Sequence, residues 1–192
     1  MTSPVCTIIA GPNGAGKTTF ALKYLTAYSP TRNFVNADLI AAGHSPLAPE
    51  KSQVEAARLF LRDVGRFVSE RESFAFETTL SGRSYLRMIR ELMASGWTVQ
   101  LFYLWLPSVA ICKARVAERV ARGGHDIPSE TIERRYFRSV RNLMTEYAAL
   151  CSLAICYDNS LSELGIIFQQ VGKACEVFDQ PRYQLLCQGI EQ

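Results

Sequence analysis

The sequence has no long hydrophobic run, no Cys-x-x-Cys pair and only two histidines, and each shortage excludes a class of protein. Its apolar segments are all shorter than the roughly 20 residues that a membrane-spanning helix needs. The start, "MTSPVCTIIAG", has neither the basic region nor the apolar length of a secretory signal. The six cysteines have no histidine or cysteine partners at ligand spacing, which argues against a metal or redox centre. We therefore expect a cytoplasmic protein with reduced cysteines and no membrane contact.

A strong net charge is also missing. The chain has 21 Lys and Arg residues against 18 Asp and Glu, which gives a net charge of +3. A balance this mild suits an anionic small molecule but is too weak to favour nucleic acid as a partner. Repeats, low-complexity tracts and linkers are absent from the 192 residues, so we predict a single domain over residues 1–192.

What the sequence does contain is a glycine-rich loop between an apolar strand and a helix, in "VCTIIAGPNGAGKTTF" (residues 5–20). Gly11, Gly16, Lys17 and Thr18 satisfy the P-loop spacing without a mismatch. In such a loop the backbone N–H groups surround phosphates, the lysine adds positive charge, and the threonine hydroxyl ligates Mg²⁺. We therefore predict that the chain binds the phosphates of a nucleotide together with Mg²⁺, with Thr18 as the metal ligand. The predicted nucleotide contacts here are Gly11, Pro12, Asn13, Gly14, Ala15, Gly16, Lys17, Thr18 and Thr19.

Strand and helix signals alternate after this loop. Further strands are predicted at 33–37, 73–78, 97–106 and 153–157, and further helices at 49–72, 84–95, 108–122 and 129–150. The pattern predicts an α/β fold with a doubly wound, mainly parallel five-stranded sheet, a P-loop after the first strand and helices on both faces. In the helix over 49–72, the spacing predicts a buried face of Val54, Ala57, Leu61, Val64 and either Phe67 or Val68.

The C-terminal region changes character after "DNS" (158–160). The segments "GIIFQQ" and "ACEVF" flank "VGK", which predicts a hairpin with Gly172 in the turn. The alternative is one helix over 160–177, but Gly165 and Gly172 weaken it. A last short helix is predicted after Asp179, which is a good N-cap.

Three classes of protein share such a phosphate loop. The loop resembles that of ABC transporter ATPases, and "LSGR" (80–83) resembles the start of their signature, but no apolar strand ending in Asp-Glu follows. A GTPase switch needs an Asn-Lys-x-Asp motif, whereas "YDNS" (157–160) has no lysine. A kinase of a small acceptor needs four parts. These are a catalytic base near the acceptor hydroxyl, a polar residue at a neighbouring strand end, arginines in a lid and a pocket for adenine. Candidates for all four parts are present, so a kinase is favoured.

Two acidic residues follow predicted strands. Asp38, in "NADLIA", is placed to accept the proton of an acceptor hydroxyl or, equally well, to cap the helix that follows. Glu77, in "FAFETTLSG", follows a buried strand, where a charge needs a function or a partner. It is a candidate for holding water around Mg²⁺ or for binding the acceptor, and a structural pair with an arginine is the competing interpretation. Thr78 and Thr79 add hydrogen-bonding groups beside it.

Arginines are concentrated in a predicted lid, called here the lid segment (residues 115–141), which contains the loop "GGHDIP". They form two helical stripes, Arg115, Arg119 and Arg122 before the loop and Arg134, Arg138 and Arg141 after it, with Arg135 beside the second. We expect one or two of Arg119, Arg122, Arg134 and Arg135 to contact phosphate, because arginine suits the charge on a transferring phosphoryl group. Local pairs such as Glu118 with Arg122 are the alternative. His125 is expected to be a lid contact or a helix-entry residue.

Five segments in order resemble the zeta-toxin-like P-loop kinases, in particular their small stand-alone members. These are "GPNGAGKTT", "NADLIA", "FETTLSG", "RVAERVARGGHDIPSETIERRYFRSVRNL" and "YDNS", which together span residues 5 to 160. The resemblance implies transfer of the γ-phosphate of ATP to a hydroxyl group, and toxin members phosphorylate the 3′-hydroxyl of UDP-N-acetylglucosamine. It also implies specific roles for matching residues. The implied catalytic residues are Lys17, Asp38, Arg119, Arg122 and Arg135.

The resemblance likewise assigns residues to the two substrates. Asn159 lies where kinases of this kind contact the edge of adenine. The acceptor side is implied to consist of Asp38, Glu77, Thr78, Thr79 and Arg83. The implied partners are a small hydroxyl acceptor, with a nucleotide sugar suspected, and an antitoxin. A nucleoside, an antibiotic or a nucleic-acid 5′ end stay open as acceptors, as does an ATPase or switch without any acceptor.

Overall fold

The computed structural model describes residues 3–27, 31–45, 48–124 and 126–189. It contains one seven-stranded sheet in the order β2-β3-β1-β4-β5-β6-β7. The first five strands in chain order pair in parallel, and the last two pair antiparallel. The strands are Val5–Ala10 (β1), Phe34–Val35 (β2), Phe74–Thr78 (β3), Thr98–Trp105 (β4), Leu153–Asp158 (β5), Gly165–Val171 (β6) and Ala174–Val177 (β7). The predicted doubly wound, mainly parallel sheet is therefore confirmed.

The centre of the sheet is formed by the two most apolar strands. β1 lies between β3 and β4, and its last five residues are buried. β4 has five consecutive buried residues at its carboxyl end, from Leu101 to Trp105. A strand covered by helices on both faces needs apolar side chains on both faces, so it lacks the alternation of a half-exposed strand.

Helices connect the strands and cover the sheet. Their bounds are Lys17–Ala27 (α1), Ala37–His44 (α2), Gln53–Glu70 (α3), Tyr85–Ala94 (α4), Val109–Ala121 (α5), Ser129–Asn142 (α6), Ala148–Leu150 (α7) and Gln180–Gln188 (α8). A 3₁₀ turn, Pro49–Ser52, precedes α3, and a π-helical turn, Leu143–Tyr147, joins α6 to α7. The predicted helix over 129–150 is thus helical throughout, but its fifth turn is wider than an α-helix. None of the helices in the described ranges is both long and apolar enough to cross a membrane.

The buried face of α3 differs from the predicted one. The buried residues are Ala56, Phe60, Val64 and Phe67, whereas Val54 and Leu61 are 68% and 65% exposed. Phe60 packs edge-on against Phe76 of β3, with ring centroids 5.8 Å apart. The buried face is therefore turned by about one residue from the face that aliphatic spacing indicated, and the prediction was wrong for Val54, Ala57 and Leu61.

The C-terminal hairpin is confirmed, and it extends the main sheet. β6 pairs antiparallel with β5, and β7 pairs with β6 around Gly172, whose φ is 57°. Asp179 accepts a hydrogen bond from the backbone N–H of Arg182, which makes it the predicted N-cap of α8. The alternative of one helix over 160–177 is therefore wrong.

The loop after β3 is held by side chains of α6 and of the π-helical turn that follows α6. Three side chains donate hydrogen bonds to its carbonyl groups: Ser139 to Thr79 (2.5 Å), Asn142 to Leu80 (2.8 Å) and Tyr147 to Gly82 (2.8 Å). The loop is a strained one, because Leu80 is a buried non-glycine residue with a φ of 58°. These contacts fix the backbone directly after Glu77.

Chain direction places an open crevice at the carboxyl edge of the parallel strands. The chain leaves β1 towards β2 on one side, and it leaves β4 towards β5 on the other. Such a reversal creates a crevice between neighbouring strands in which ligands of α/β proteins bind. The P-loop and the two acidic residues all lie at this edge.

Candidate functional site

The P-loop packs tightly against the rest of the protein, and its glycines follow from that packing. Gly11 has a φ of 143°, and a Cβ atom there would lie 2.2 Å from the carbonyl oxygen of Leu104 in β4. At Gly16, with a φ of 79°, a Cβ atom would lie 2.8 Å from the side-chain nitrogen of Asn159. Glycine is therefore required by the protein's own backbone contacts as well as by the approach of phosphate.

Gly11→Ala is expected to lower the free energy of unfolding by about 1–3 kcal/mol and to abolish nucleotide binding, because β1 and β4 must separate to admit the methyl group. Urea denaturation and nucleotide titration measure the two effects. Gly43→Ala in α2 is the matched control, since a Cβ atom there meets no atom within 4 Å. Equal stability of the two variants would contradict this account of the loop.

Glu77 is the centre of a hydrogen-bond network at the end of β3. Its Oε2 accepts hydrogen bonds from the Thr18 hydroxyl and from the Asn36 side-chain amide, both at 2.7 Å. Its Oε1 lies 3.8 Å from Nζ of Lys17. The partners of this largely shielded carboxylate are thus P-loop groups and an amide, and no described contact is the arginine pair that was the competing interpretation.

Lys17 is buried beneath the loop that it serves. Its Nζ donates a hydrogen bond of 3.0 Å to the carbonyl of Pro12. Burial lowers the pKa of Lys17, the carboxylates of Glu77 and Asp38 oppose that shift, and Arg119 adds to it. An ammonium group with so little water around it gains strongly from an anionic ligand.

Asp38 is presented to the crevice by a neighbouring residue. Asn36 is the N-cap of α2, since its Oδ1 accepts hydrogen bonds from the backbone N–H groups of Asp38 (2.8 Å) and Leu39 (3.2 Å). The capping role considered for Asp38 therefore belongs to Asn36. The carboxylate of Asp38 accepts no hydrogen bond from any residue in the described ranges, and it stays available for a ligand.

A polar cavity of about 300 Å³ joins these groups. Its walls are Asn13, Lys17, Asn36, Ala37, Asp38, Glu77, Thr78, Thr79, Tyr85 and Arg135. Oδ1 of Asn13 is buried without a hydrogen-bond partner among the described residues, although the side chain belongs to this wall. A buried acceptor of this kind needs a donor, which a hydroxyl-bearing ligand supplies.

A second cavity of about 190 Å³ continues from the first, because the two share Ala37, Asp38 and Arg135. Its remaining walls are Ala41, Gln53, Ala56 and Ile127. Small side chains leave space there for the part of an acceptor that does not react.

A third cavity of about 350 Å³ lies on the other side of the P-loop. Its walls are Gly16, Thr19, Phe20, Lys23, Asn159, Ser162 and Leu164. Asn159 donates a hydrogen bond of 2.8 Å to the carbonyl of Ala15, so it also holds the P-loop. The predicted nucleotide residues therefore divide between the two sides of the loop, with Lys17 on one and Asn159 on the other.

The structure separates the arginines of the lid segment. Arg135 lines both acceptor-side cavities, and Arg119 is near enough to lower the pKa of Lys17. Arg122 points away and pairs with Glu118 at 2.6 Å, the local contact that was the alternative. Arg134 is exposed on α6. His125 lies outside the described residues.

Of the remaining residues predicted to bind the acceptor, two line the cavity and one does not. Thr78 and Thr79 line the 300 Å³ cavity, where the Thr79 hydroxyl is 2.9 Å from that of Ser81. Arg83 is not brought to the cavity, because it forms an ion pair with Glu146 at 3.0 Å and its side chain is 62% exposed.

The oxygen atoms around Thr18 are suitable ligands for Mg²⁺. Within the described ranges no group of three or more His, Cys, Asp or Glu residues is arranged to hold a metal ion. Mg²⁺ in kinases needs no such cage, since it binds through one or two protein oxygens together with phosphates and water. The Thr18 hydroxyl and the Glu77 carboxylate, 2.7 Å apart, provide oxygens of that kind.

Sequence reasoning missed Asn36 and Arg115. Arg115 donates from its guanidinium to the carbonyls of Asn159 (2.8 Å) and Ser160 (3.2 Å), and thereby connects α5 to the loop after β5. Asn36 had a usable signal, because an Asn directly after a strand and before a helix is a preferred N-cap. Arg115 had none, since its partners are backbone groups 44 and 45 residues away.

Comparisons with known proteins agree with this geometry. The family model described as "Zeta toxin" matches residues 1–160. An uncharacterized protein of Haemophilus influenzae is 30% identical over 129 residues, which is 66% of this chain and 88% of that protein.

Two solved structures share the fold. The complex of AvrRxo1-ORF1 and AvrRxo1-ORF2 aligns with a TM-score of 0.76 at 16% identity and has also been solved with ATP. That alignment covers 96% of this chain and 63% of the matched chain, so this chain spans less than two thirds of that neighbour. The PezAT toxin-antitoxin system of Streptococcus pneumoniae aligns with a TM-score of 0.63 at 14% identity, over 100% of this chain and 86% of that one.

Proposed function

Since the chain belongs to the zeta toxin family of P-loop kinases, we propose that it transfers the γ-phosphate of ATP to a hydroxyl group of a small acceptor. The observation that carries this proposal is a single cavity that contains both the phosphate-binding Lys17 and a carboxylate, Asp38, that accepts no described hydrogen bond. A kinase needs both groups to face the same space, because in-line transfer brings the hydroxyl to the phosphate.

Asp38 is the general base in this proposal. Its carboxylate accepts the proton of the acceptor hydroxyl while the oxygen of that hydroxyl bonds to phosphorus. The backbone of Asp38 is fixed by the cap that Asn36 provides, and the same Asn36 donates its amide to Glu77. Asn36 therefore fixes the position of the general base, Asp38, relative to Glu77 on the metal side of the site.

Glu77 and Thr18 form the metal side. When bound there, Mg²⁺ neutralises charge on the phosphates. The contacts of Glu77 with Thr18 and Lys17 favour a role at the metal and P-loop over direct contact with the acceptor. The hydrogen-bonding contacts to the acceptor then come from Asn13, Asn36, Thr78 and Thr79, which line the same cavity.

Arg135 and Arg119 supply positive charge from the lid segment. Arginine suits the charge that spreads over a transferring phosphoryl group, and the segment excludes water that would otherwise hydrolyse ATP. Arg122 and Arg83 have no part in this proposal, because both are engaged in ion pairs away from the cavity.

Arg135→Ala is expected to reduce kcat by about 100-fold, because a positive charge directed at the reacting phosphoryl group is lost. Arg122→Ala, in the same lid segment, is the matched control and is expected to change kcat less than twofold. Steady-state kinetics with saturating ATP measures both. A larger effect at Arg122 than at Arg135 would contradict the assignment of the phosphate contact to Arg135.

The acceptor that we propose is a nucleotide sugar, UDP-N-acetylglucosamine, phosphorylated on its 3′-hydroxyl. The support is the family and the polar cavity, which continues into a second space beside Asp38 and Arg135.

An antitoxin is proposed as a partner, because the PezAT neighbour is part of a toxin-antitoxin system. We also propose a cytoplasmic location and one domain over residues 1–192, with all six cysteines free and four of them buried.

The deciding experiment is transfer of labelled γ-phosphate from ATP to a panel of acceptors, with UDP-N-acetylglucosamine, nucleosides, antibiotics and a nucleic-acid 5′ end included. Label on the nucleotide sugar that disappears in Asp38→Asn supports reaction and acceptor together. Label on another acceptor would support the kinase reaction and would replace the nucleotide sugar as the proposed acceptor. Bound ATP with released phosphate and no labelled acceptor would overturn the proposal in favour of an ATPase or switch.

A further inference from the structure

We infer that Arg182, on the C-terminal helix α8, is a positioning residue for the nucleotide side of the P-loop. The inference rests on the proposed function, since it assigns a role in binding the nucleotide. Arg182 touches neither the P-loop nor any of the three cavities around it. It acts through a short series of contacts that ends on the P-loop backbone.

The series begins at a buried carboxylate. Nε of Arg182 donates to Oδ2 of Asp158, the last residue of β5, and its Nη1 donates to Asp179 at 2.6 Å. Asp158 is only 3% exposed. Its other oxygen, Oδ1, accepts a hydrogen bond of 2.8 Å from the backbone N–H of Ser160.

Asp158 and Ser160 flank Asn159, so these contacts fix the backbone of Asn159 from both sides. The N–H of Asn159 donates to the carbonyl of Trp105 at 3.0 Å, and its carbonyl accepts from Arg115 at 2.8 Å. With its backbone held in this way, Asn159 directs its side chain to the carbonyl of Ala15 in the P-loop.

The contact to Ala15 lies at a tightly packed point of the loop. The next residue, Gly16, already lies so close to Asn159 that a Cβ atom would be 2.8 Å from its side-chain nitrogen. A shift of Asn159 therefore moves the loop or changes the 350 Å³ cavity that the two residues share. The 300 Å³ cavity on the acceptor side contains none of these residues.

A buried carboxylate demands a cation, which gives the ion pair a purely structural explanation as well. The position of Asp158 supports the positioning role, because this partner of Arg182 is the residue directly before Asn159. Arg182 itself lies on α8, after the hairpin and beyond residue 160, where the family model ends. The C-terminal part of the chain thus connects to the nucleotide side of the site through Asp158, 24 residues away from Arg182.

The two explanations differ in what they predict for the two substrates. A structural ion pair affects folding, and with it both binding sites. A positioning residue affects the nucleotide alone. Arg182→Gln is expected to weaken binding of a fluorescent ATP analogue by about 10-fold, measured without acceptor, while the KM for the acceptor changes less than twofold.

Arg182→Lys is expected to recover most of the affinity, because it keeps a cation beside Asp158. The matched control is Arg66→Gln, which removes a surface arginine that pairs with Glu70 at 3.1 Å on α3. This variant is expected to change neither the affinity for the ATP analogue nor the KM for the acceptor. If Arg182→Gln does not fold, Asp158→Asn replaces it, since the amide oxygen still accepts from Ser160 while the charge is lost.

Unchanged nucleotide affinity in a folded Arg182→Gln or Asp158→Asn would overturn the inference, and so would equal weakening of nucleotide and acceptor. The nucleotide titration is independent of transfer. If no acceptor in the panel is labelled, the acceptor proposal fails while the effect of Arg182 on nucleotide affinity is still measured, so the two failures are distinguishable.

Discussion

Asp38→Asn is expected to reduce the rate of phosphoryl transfer by about 10²–10⁴-fold and to leave the affinity for ATP within twofold of the wild-type value. The amide is almost the same size as the carboxylate, but it does not accept the hydroxyl proton. The α2 helix stays capped, because Asn36 and not Asp38 accepts the hydrogen bonds of its first turn. Single-turnover transfer and nucleotide titration measure the two quantities.

Asp63→Asn is a suitable control for this experiment. Asp63 lies on α3 beside Arg62, with side-chain atoms 3.5 Å apart, and it is no part of the cavity. Its variant is expected to transfer phosphate at the wild-type rate. Transfer by Asp38→Asn at that same rate would mean that another group takes the proton, and the assignment of the base would be wrong.

Lys17→Ala is expected to lower transfer by at least about 10²-fold and also to weaken ATP binding, in contrast to the variant at Asp38. The lysine is a positive charge beneath the P-loop, and the change leaves Glu77 without the cation 3.8 Å away. The ammonium of Lys17 is buried and poorly solvated, which lowers its pKa, and a group in that state gains much from phosphate.

The control for Lys17 is Lys173→Ala, which removes an exposed lysine from the turn between β6 and β7. Isothermal titration with ATP and the transfer assay compare the two variants. Wild-type ATP affinity in Lys17→Ala would contradict the placement of phosphate over this residue and would direct attention to the backbone groups of the loop.

Much of the fold was predictable because its signals are local. The P-loop pattern, the strand before it and the helix after it are contiguous, and their geometry follows from about 20 residues. Glu77 was predictable for a similar reason, since a charge after three buried residues needs partners. Its actual partners, Thr18 and Asn36, were not, because they are 59 and 41 residues away.

Features that depend on tertiary packing could not be predicted from the sequence. On α3 the aliphatic spacing selected Val54 and Leu61, but the contact of Phe60 with Phe76 selects the neighbouring face. Among the arginines, a helical stripe shows which side chains share a face but does not show where that face points. Arg122 therefore looked as suitable as Arg119 until the fold turned it towards Glu118.

The contacts that α6 and the π-helical turn after it make with the loop after β3 have an entropic consequence for substrate recognition. Ser139, Asn142 and Tyr147 hold the carbonyls of residues 79, 80 and 82, and Arg135 belongs to the same helix as Ser139. The backbone that carries the threonines is therefore held against the helix that carries the arginine before anything binds. Ordering an interface side chain on binding costs about 0.5–1.5 kcal/mol, and for Thr78 and Thr79 that cost falls on folding, because their hydroxyls already have hydrogen bonds with the N–H of Leu80 and the hydroxyl of Ser81. The acceptor accordingly meets threonines that are already arranged, and their ordering subtracts little from its affinity.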